Sequence, residues 1–194
     1  MKYSFNYDWT KSAIKNAEYL LKDPKNFLEI GTFEAKFAIW FAEKYRCNVT
    51  TIDPFDGTPY GVNQDLYDQV KRNCKSNISN CASSINLIEG YSFDVLCDLY
   101  KESCSYDFIY IDGSHQSDNV IEDLVLSYRL LQKDGIILLD DASSWKQKDK
   151  STGEFNQDIV MSPRLAVDYF IHIHWKDIKI LNLPDSKQVA FKKL

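Results

Sequence analysis

No stretch of this chain reaches the roughly 18 uninterrupted apolar residues that a membrane-crossing helix needs. Nor does its opening, MKYSFNYDWTKSAIKNAEYL, hold a continuous apolar h-region, so neither a spanning segment nor a secretory leader is expected. Basic runs are missing as well. With a net charge of −5 and no cluster of Lys and Arg, nucleic acid and anionic membrane surfaces are not expected as partners. There is no C-x-x-C pair. The five cysteines (Cys47, Cys74, Cys81, Cys97, Cys104) are odd in number and read as buried or incidental thiols in a reducing compartment, with the cytoplasm as the expected location. Internal repeats and low-complexity tracts are also lacking, which excludes solenoids and disordered linkers.

What is there fits one ordinary domain spanning residues 1–194. The apolar fraction of 44% and charged fraction of 26% are those of a chain that buries a core. Ala13, Ile14, Ala17, Leu20 and Leu21 sit at helical spacing, making residues 1–25 an N-terminal helical segment that Asp23 and Pro24 end. Strand and helix signals then alternate. Strands are expected at 27–30, 49–52, 85–88, 108–111 and 136–139, and helices at 34–45, 63–76, 93–100 and 119–131. Lys133, Asp134 and Gly135 read as a turn. Short apolar runs joined by helices mark an α/β fold, Rossmann-like and doubly wound, its mostly parallel sheet covered on both faces. Pro163 starts a last helix, and 178–181 with 189–191 read as a hairpin. Residues 142–161 are polar and long for a passive loop, so they are expected to wall or close over an acceptor site.

In open α/β sheets ligands bind beyond the carboxyl ends of the strands. Here those ends carry Glu29 and Gly31, then Asp53, then Glu89, Gly90 and Ser92, then Asp112 to His115, then Asp140 and Asp141. A single polar strand end is usually a turn or a helix cap. Five acid-bearing ends on one rim repel one another unless a ligand, a cation or protonation relieves them. Gly31 lets the chain turn closely beneath a ligand, and a helix from Glu34 would aim its positive end into the crevice. Asp53 follows Gly31 by 22 residues, about where such folds place an acid against ribose hydroxyls. The run from Gly31 to Lys36 is not G-x-G-x-x-G, and a pyrophosphate would meet Glu29 and Glu34. A nucleoside without phosphates fits better.

FLEIGTFEA, TTIDPF, LIEGYSFDVL, YDFIYIDGSHQ and RLLQKDGIILLDD, in this order, resemble the class I S-adenosylmethionine-dependent methyltransferases over roughly residues 26–192. The chain is most similar to their small-molecule O-methyltransferase branch, which includes macrocin-type sugar enzymes and the catechol type. That resemblance implies a strand order of 3-2-1-4-5-7-6 with the last strand antiparallel. It implies S-adenosylmethionine as cofactor, with Glu29, Gly31, Thr32 and Phe33 under its methionine part and Asp53 on its ribose. Gly90, Tyr91, Ser92 and Phe93 would edge the adenine, and Asp112 would line the floor. The chain departs from the glycine-rich first motif at Ala35, where a glycine is common.

Metal-dependent members place one acid after the fourth strand and a pair after the fifth, here Asp112 with Asp140 and Asp141. Oxygen-only ligands favour Mg²⁺ or a similar hard cation. The alternative is that Asp141 only caps the next segment while Asp140 is solvated. His115 stands where the catechol type carries a basic lysine, and a histidine can take a hydroxyl proton near neutral pH. Its alternative role is a loop histidine bonded to local backbone. His172 and His174 read as packing or solvent-facing. The acceptor pocket falls to PFDGTPYGVNQ, the 142–161 loop and the N-terminal YSFNYDW, with Tyr60, Trp145 and Phe155 as stacking candidates. The expected reaction is therefore methyl transfer to a hydroxyl of a small molecule, a sugar or glycoside, with metal assistance (EC 2.1.1.-). A homodimer stays open. So do metal-independent transfer to nitrogen or a protein side chain, against which the missing N-P-P-Y-type signature counts, a nicotinamide-dependent oxidoreductase, and a non-catalytic nucleotide-binding protein.

Overall fold

A computed structural model describes residues 2–57, 63–142, 147–148, 155–156, 162–185 and 187–194, and its elements fall where the apolar runs lie. In chain order they are α1 (Lys11–Leu20), β1 (Asn26–Ile30), α2 (Lys36–Tyr45), β2 (Asn48–Asp53), α3 (Gln64–Ser79), β3 (Ile85–Glu89), α4 (Ser92–Lys101), β4 (Tyr106–Ile111), α5 (Ser117–Leu130) and β5 (Leu131–Leu139). Two short strands, β6 (Gln147–Lys148) and β7 (Phe155–Asn156), pair with each other; α6 (Pro163–Ile173), β8 (Ile178–Leu181) and β9 (Val189–Lys193) close the chain.

The main sheet has seven strands in the order β3-β2-β1-β4-β5-β9-β8. Counted within that sheet the order is 3-2-1-4-5-7-6, with β9 antiparallel to both neighbours, as expected. Because side chains alternate across a strand, each run serves two cores. Phe27, Phe108, Tyr110 and Leu138 face α1, α2 and α3, where Phe27 stacks on Phe41 at 4.0 Å. Leu28, Ile109, Ile111, Ile137 and Leu139 face α4, α5 and α6. Among the described residues no helix is long and apolar enough to cross a membrane. All five cysteines are free.

Helix α1 covers only Lys11–Leu20 of the helical segment expected over 1–25, and two further boundaries differ for a clear physical reason. Helix α2 begins at Lys36, not Glu34, because Ala35 sits in the left-handed region (φ 63°), which no right-handed helix continues. The expected turn at Lys133 to Gly135 is a bulge inside β5: Leu131 already pairs with Tyr106, and the register resumes only at Ile136 beside Phe108. Asp134 at its tip (φ 66°) is held by Lys192 at 2.6 Å. Of the two histidines at the end of the last helix, His174 packs on Phe170 (4.4 Å) and Tyr128 (4.7 Å), and His172 is exposed.

Candidate active site

The parallel ladder continues one step past each strand, and this brings the strand ends to one level. Gly31 N–H donates to Ile52 O (2.9 Å), Asp112 N–H to Ile30 O (2.8 Å) and Asp140 N–H to Ile111 O (3.0 Å). At Gly31 the chain swings across the end of β4 with φ +91°, and a Cβ there would lie 2.0 Å from the Asp112 carbonyl oxygen. Only glycine fits such a crossing. The loop beyond is clamped by Asp53: one of its oxygens accepts from the N–H groups of Thr32 (2.9 Å) and Phe33 (2.8 Å), the other from Phe55 N–H (2.7 Å). Burial raises the Asp53 pKa, and those three N–H groups pull part of that rise back. Glu29 lies fully inside and burial pushes it up to about 8, although Thr51 Oγ1 donates to it at 2.5 Å.

At the ends of β4 and β5 a buried tyrosine joins the acids. The Tyr110 hydroxyl donates to Asp140 Oδ2 (2.7 Å) and to Asp112 Oδ2 (3.0 Å). Burial and the adjacent Asp140 raise the Asp112 pKa well above the usual carboxylate range, while the Tyr110 hydroxyl works the other way. Asp141, half-exposed and at φ 50°, is turned aside to His115, whose Nε2 lies 3.4 Å from Asp141 Oδ2. The backbone N–H of Asp141 donates to Asp140 Oδ1 at 2.9 Å.

Part of this set shares a cleft, with Asp140, Asp141 and His115 outside its lining. Glu29, Gly31, Thr32, Phe33, Tyr110 and Asp112 line its floor, and Tyr7 and Trp9 close its outer side. Tyr7 stacks on Trp9 at 4.7 Å, and both rings pack on Phe33 (5.7 and 5.1 Å). Asp53 lies behind the loop and reaches Gly90, whose N–H donates to Asp53 O at 3.2 Å. Tyr91, Ser92 and Phe93 open α4 beyond the cleft wall, with the Tyr91 hydroxyl bonded to Asp56 at 2.5 Å. Tyr60, Trp145 and most of 142–161 lie outside the described residues, as does the side chain of Phe155. The N-terminal aromatics thus do join the cleft. The tie between Glu34 and the N-terminal segment went unread in the sequence, and so did Tyr110, although a tyrosine inside the apolar run FIYI must find its hydroxyl a buried partner.

The methyltransferase domain family matches this chain over residues 28–142. The chain belongs to that family. Its members' fold is the one seen here. The structure is similar to a putative caffeoyl-CoA O-methyltransferase from Staphylococcus aureus (TM-score 0.66, 18% identity, 99% of this chain and 86% of that one). It is equally similar to an O-methyltransferase from Bacillus cereus in complex with SAH (TM-score 0.67, 18% identity, 97% and 83%). The O-methyltransferase TomG from Streptomyces achromogenes, solved with SAM, is similar to the same degree (TM-score 0.66, 14% identity, 97% and 81%). In sequence the chain is 32% identical over 128 residues to uncharacterized protein R132 of Acanthamoeba polyphaga mimivirus, a match covering 64% of this chain and 55% of that protein.

For a methyltransferase of this fold the acid rim raises the question of a cation. Among the described residues no three acids, histidines or cysteines stand ready as a cage. Two carboxylates do converge, since Asp112 and Asp140 share one hydroxyl donor and Asp140 makes the charge on Asp112 costly. That donor set suits Mg²⁺, which is commonly held by one or two carboxylates together with water and substrate oxygens. The residues fit a hard cation.

Proposed function

We propose that this methyltransferase moves the methyl group of S-adenosylmethionine to a hydroxyl of a small molecule, a sugar or glycoside, with Mg²⁺ assisting. One juxtaposition carries the reading: the Glu29–Phe33 loop crosses directly over Asp112, so a cofactor loop and an acid rim meet in one cleft. Glu29, Gly31, Thr32 and Phe33 take the methionine part, Asp53 the ribose hydroxyls, and Gly90 to Phe93 the adenine edge. Tyr7 and Trp9 are well placed to cover the cofactor or to stack on a ring of the acceptor.

Transfer is an in-line displacement. The acceptor oxygen forms its bond to the methyl carbon as the carbon–sulfur bond breaks, and the electron pair returns to sulfur, leaving S-adenosylhomocysteine. The hydroxyl proton goes to His115. With its Nε2 side toward Asp141, the ring offers Nδ1 as the accepting atom, and Asp141 supports the imidazolium that forms. A cation held by Asp112 and Asp140 would lower the pKa of the acceptor hydroxyl, while Asp141, expected as the third ligand, is turned to His115 instead. The free cysteines accord with a cytoplasmic setting.

The test is a calorimetric titration with S-adenosylhomocysteine, with and without Mg²⁺, using NAD as the control. Saturable binding of S-adenosylhomocysteine alone is expected, then turnover in a screen of sugars and nucleotide sugars. Preference for NAD would overturn the reading. The Asp141–His115 contact favours one second reading, transfer without metal, in which His115 alone activates the acceptor. Full activity in chelator would establish it.

A further inference from the structure

We infer that Tyr110 is a positioning residue for the cation-binding acid pair, fixed by a buried one-way hydrogen-bond chain that runs from α1 and the β8–β9 turn to Asp112 and Asp140. The inference rests on the metal-assisted reading above. The chain has four links. Asp185 N–H donates to Asn16 Oδ1 (3.1 Å), Asn16 Nδ2 to Gln188 Oε1 (2.7 Å), Gln188 Nε2 to the Tyr110 oxygen (3.4 Å), and the Tyr110 hydroxyl to Asp140 (2.7 Å) and Asp112 (3.0 Å). Asn16, Gln188 and Tyr110 are buried at 0%, 3% and 2% exposure, so water does not substitute for any of them.

The direction is fixed by the backbone at its start. A backbone N–H only donates, so Asp185 holds the Asn16 oxygen toward itself and turns the Asn16 NH₂ to the Gln188 oxygen. The Gln188 NH₂ is then left to face the Tyr110 oxygen, and the Tyr110 proton points to the acids. Every donor meets an acceptor only in this orientation. Such aligned chains strengthen each bond along them. The Tyr110 ring is also braced edge-on by Phe37 at 4.8 Å, so the hydroxyl has little freedom to leave.

The hydroxyl holds one oxygen of each carboxylate at hydrogen-bond distance from the same point, keeping the two side by side where like charges would drive them apart. Groups that orient ligating carboxylates in this way typically govern metal affinity by 10–100-fold.

The probe is Mn²⁺, monitored by the electron paramagnetic resonance of the free ion, on the full chain without acceptor. Tyr110→Phe keeps the ring and loses the hydroxyl; it is expected to weaken Mn²⁺ binding about 10–100-fold. Gln188→Met, remote from the acids, should weaken it by a smaller, several-fold factor. The double variant should bind no worse than Tyr110→Phe, because Gln188 acts only through that hydroxyl. S-adenosylhomocysteine affinity should hold within about twofold in Gln188→Met, which lies outside the cleft lining, and a general structural defect would not allow that. Should Tyr110→Phe fail to fold, the Gln188→Met result decides. Unchanged Mn²⁺ affinity in the folded variants, or additive losses in the double variant, would overturn the inference. Wild-type protein that binds S-adenosylhomocysteine but no Mn²⁺ would overturn it too while leaving methyl transfer standing; loss of the former binding would instead sink the proposed function itself.

Discussion

Three positions in the first loop, Gly31, Phe33 and Ala35, adopt left-handed backbone, and physical chemistry sets Gly31 and Ala35 apart. Gly31 at φ +91° lies against backbone that cannot yield, since a Cβ would meet the Asp112 carbonyl at 2.0 Å. Gly31→Ala is therefore expected to lose more than about 2 kcal/mol of stability, read as a lowered urea midpoint, and to lose S-adenosylhomocysteine binding. Ala35 at φ 63° is fully buried. Ala35→Gly relieves about 1 kcal/mol of left-handed strain but removes a buried methyl worth nearly as much, so its midpoint should stay within about 1 kcal/mol of wild type. The alanine in place of the family's usual glycine is thus tolerated, not disabling. Glu29 makes a different prediction. Burial pushes it up to about 8, so near pH 7 the free protein holds it mostly neutral. A cofactor ammonium beside it would favour the charged form, and binding should then expel up to about one proton, with affinity rising until about pH 8. Calorimetry in buffers of different ionisation enthalpy reads this directly. No buffer dependence in wild type, or an undiminished one in Glu29→Gln, would remove Glu29 from the methionine subsite.

At the scale of elements, the N-terminal segment behaves as a strap over the Gly31–Ala35 loop. Its anchor is Glu34, whose buried carboxylate accepts from Asn6 N–H (2.6 Å), Asn6 Nδ2 (2.8 Å) and Asn73 Nδ2 (2.8 Å). Asn77 bonds both Ser4 and the Glu34 carbonyl, and Lys36 pairs with Asp8 at 2.7 Å. Glu34→Ala leaves these donors without an acceptor, at about 1–3 kcal/mol for each buried one, and frees Tyr7 and Trp9 from the cleft. Faster proteolysis before Lys11 and weaker S-adenosylhomocysteine binding are expected; unchanged proteolysis would show that the aromatic packing alone holds the strap. None of this was legible in the sequence, because residues 2–10 have no period and Glu34 read as the start of a helix. The strands were legible for the opposite reason: Phe27, Leu28 and Ile30, and Phe108 to Ile111, put apolar side chains on both faces, as a covered parallel strand does. Parallel order then places Glu29, Asp53, Asp112 and Asp140 on one rim without further information. The bulge at 132–135 hid the first half of β5, since Lys133, Asp134 and Gly135 look the same in a turn as in a bulge. The relay was hidden by distance along the chain, Asn16 and Gln188 lying 172 residues apart.

For the molecule as a whole, the buried acids should invert the usual pH dependence of stability. Burial raises Glu29 to about 8 and Asp123 to about 7, and raises Asp53 and Asp112 as well. Asp123 sits behind the Gly113 turn with neither oxygen in a hydrogen bond of acceptable geometry, and the nearby Ser92 hydroxyl offsets only part of the burial. A carboxyl whose pKa is higher folded than unfolded costs nothing while both states are protonated. As pH climbs past the ordinary carboxylate range, the unfolded chain ionises first, and stability falls until the folded group ionises too. Glu29 and Asp123 thus define a window from about pH 4.5 to about pH 8. The acids shifted the other way, Glu43, Glu89, Asp134 and Asp185 among them, are exposed, and their small contribution is complete below that window. The melting temperature of the free protein should therefore decline between pH 5.5 and pH 8, by a few kcal/mol or roughly 5–15 °C. Asp123→Asn should match wild type below about pH 4 and exceed it by a few kcal/mol, at most about 4, above pH 7. S-adenosylhomocysteine should flatten the wild-type slope, because its ammonium supports charged Glu29. A melting temperature that stays level or rises across the window would show that the acid rim finds its charges compensated without a ligand, and that nothing in the cleft awaits a cation or an ammonium group.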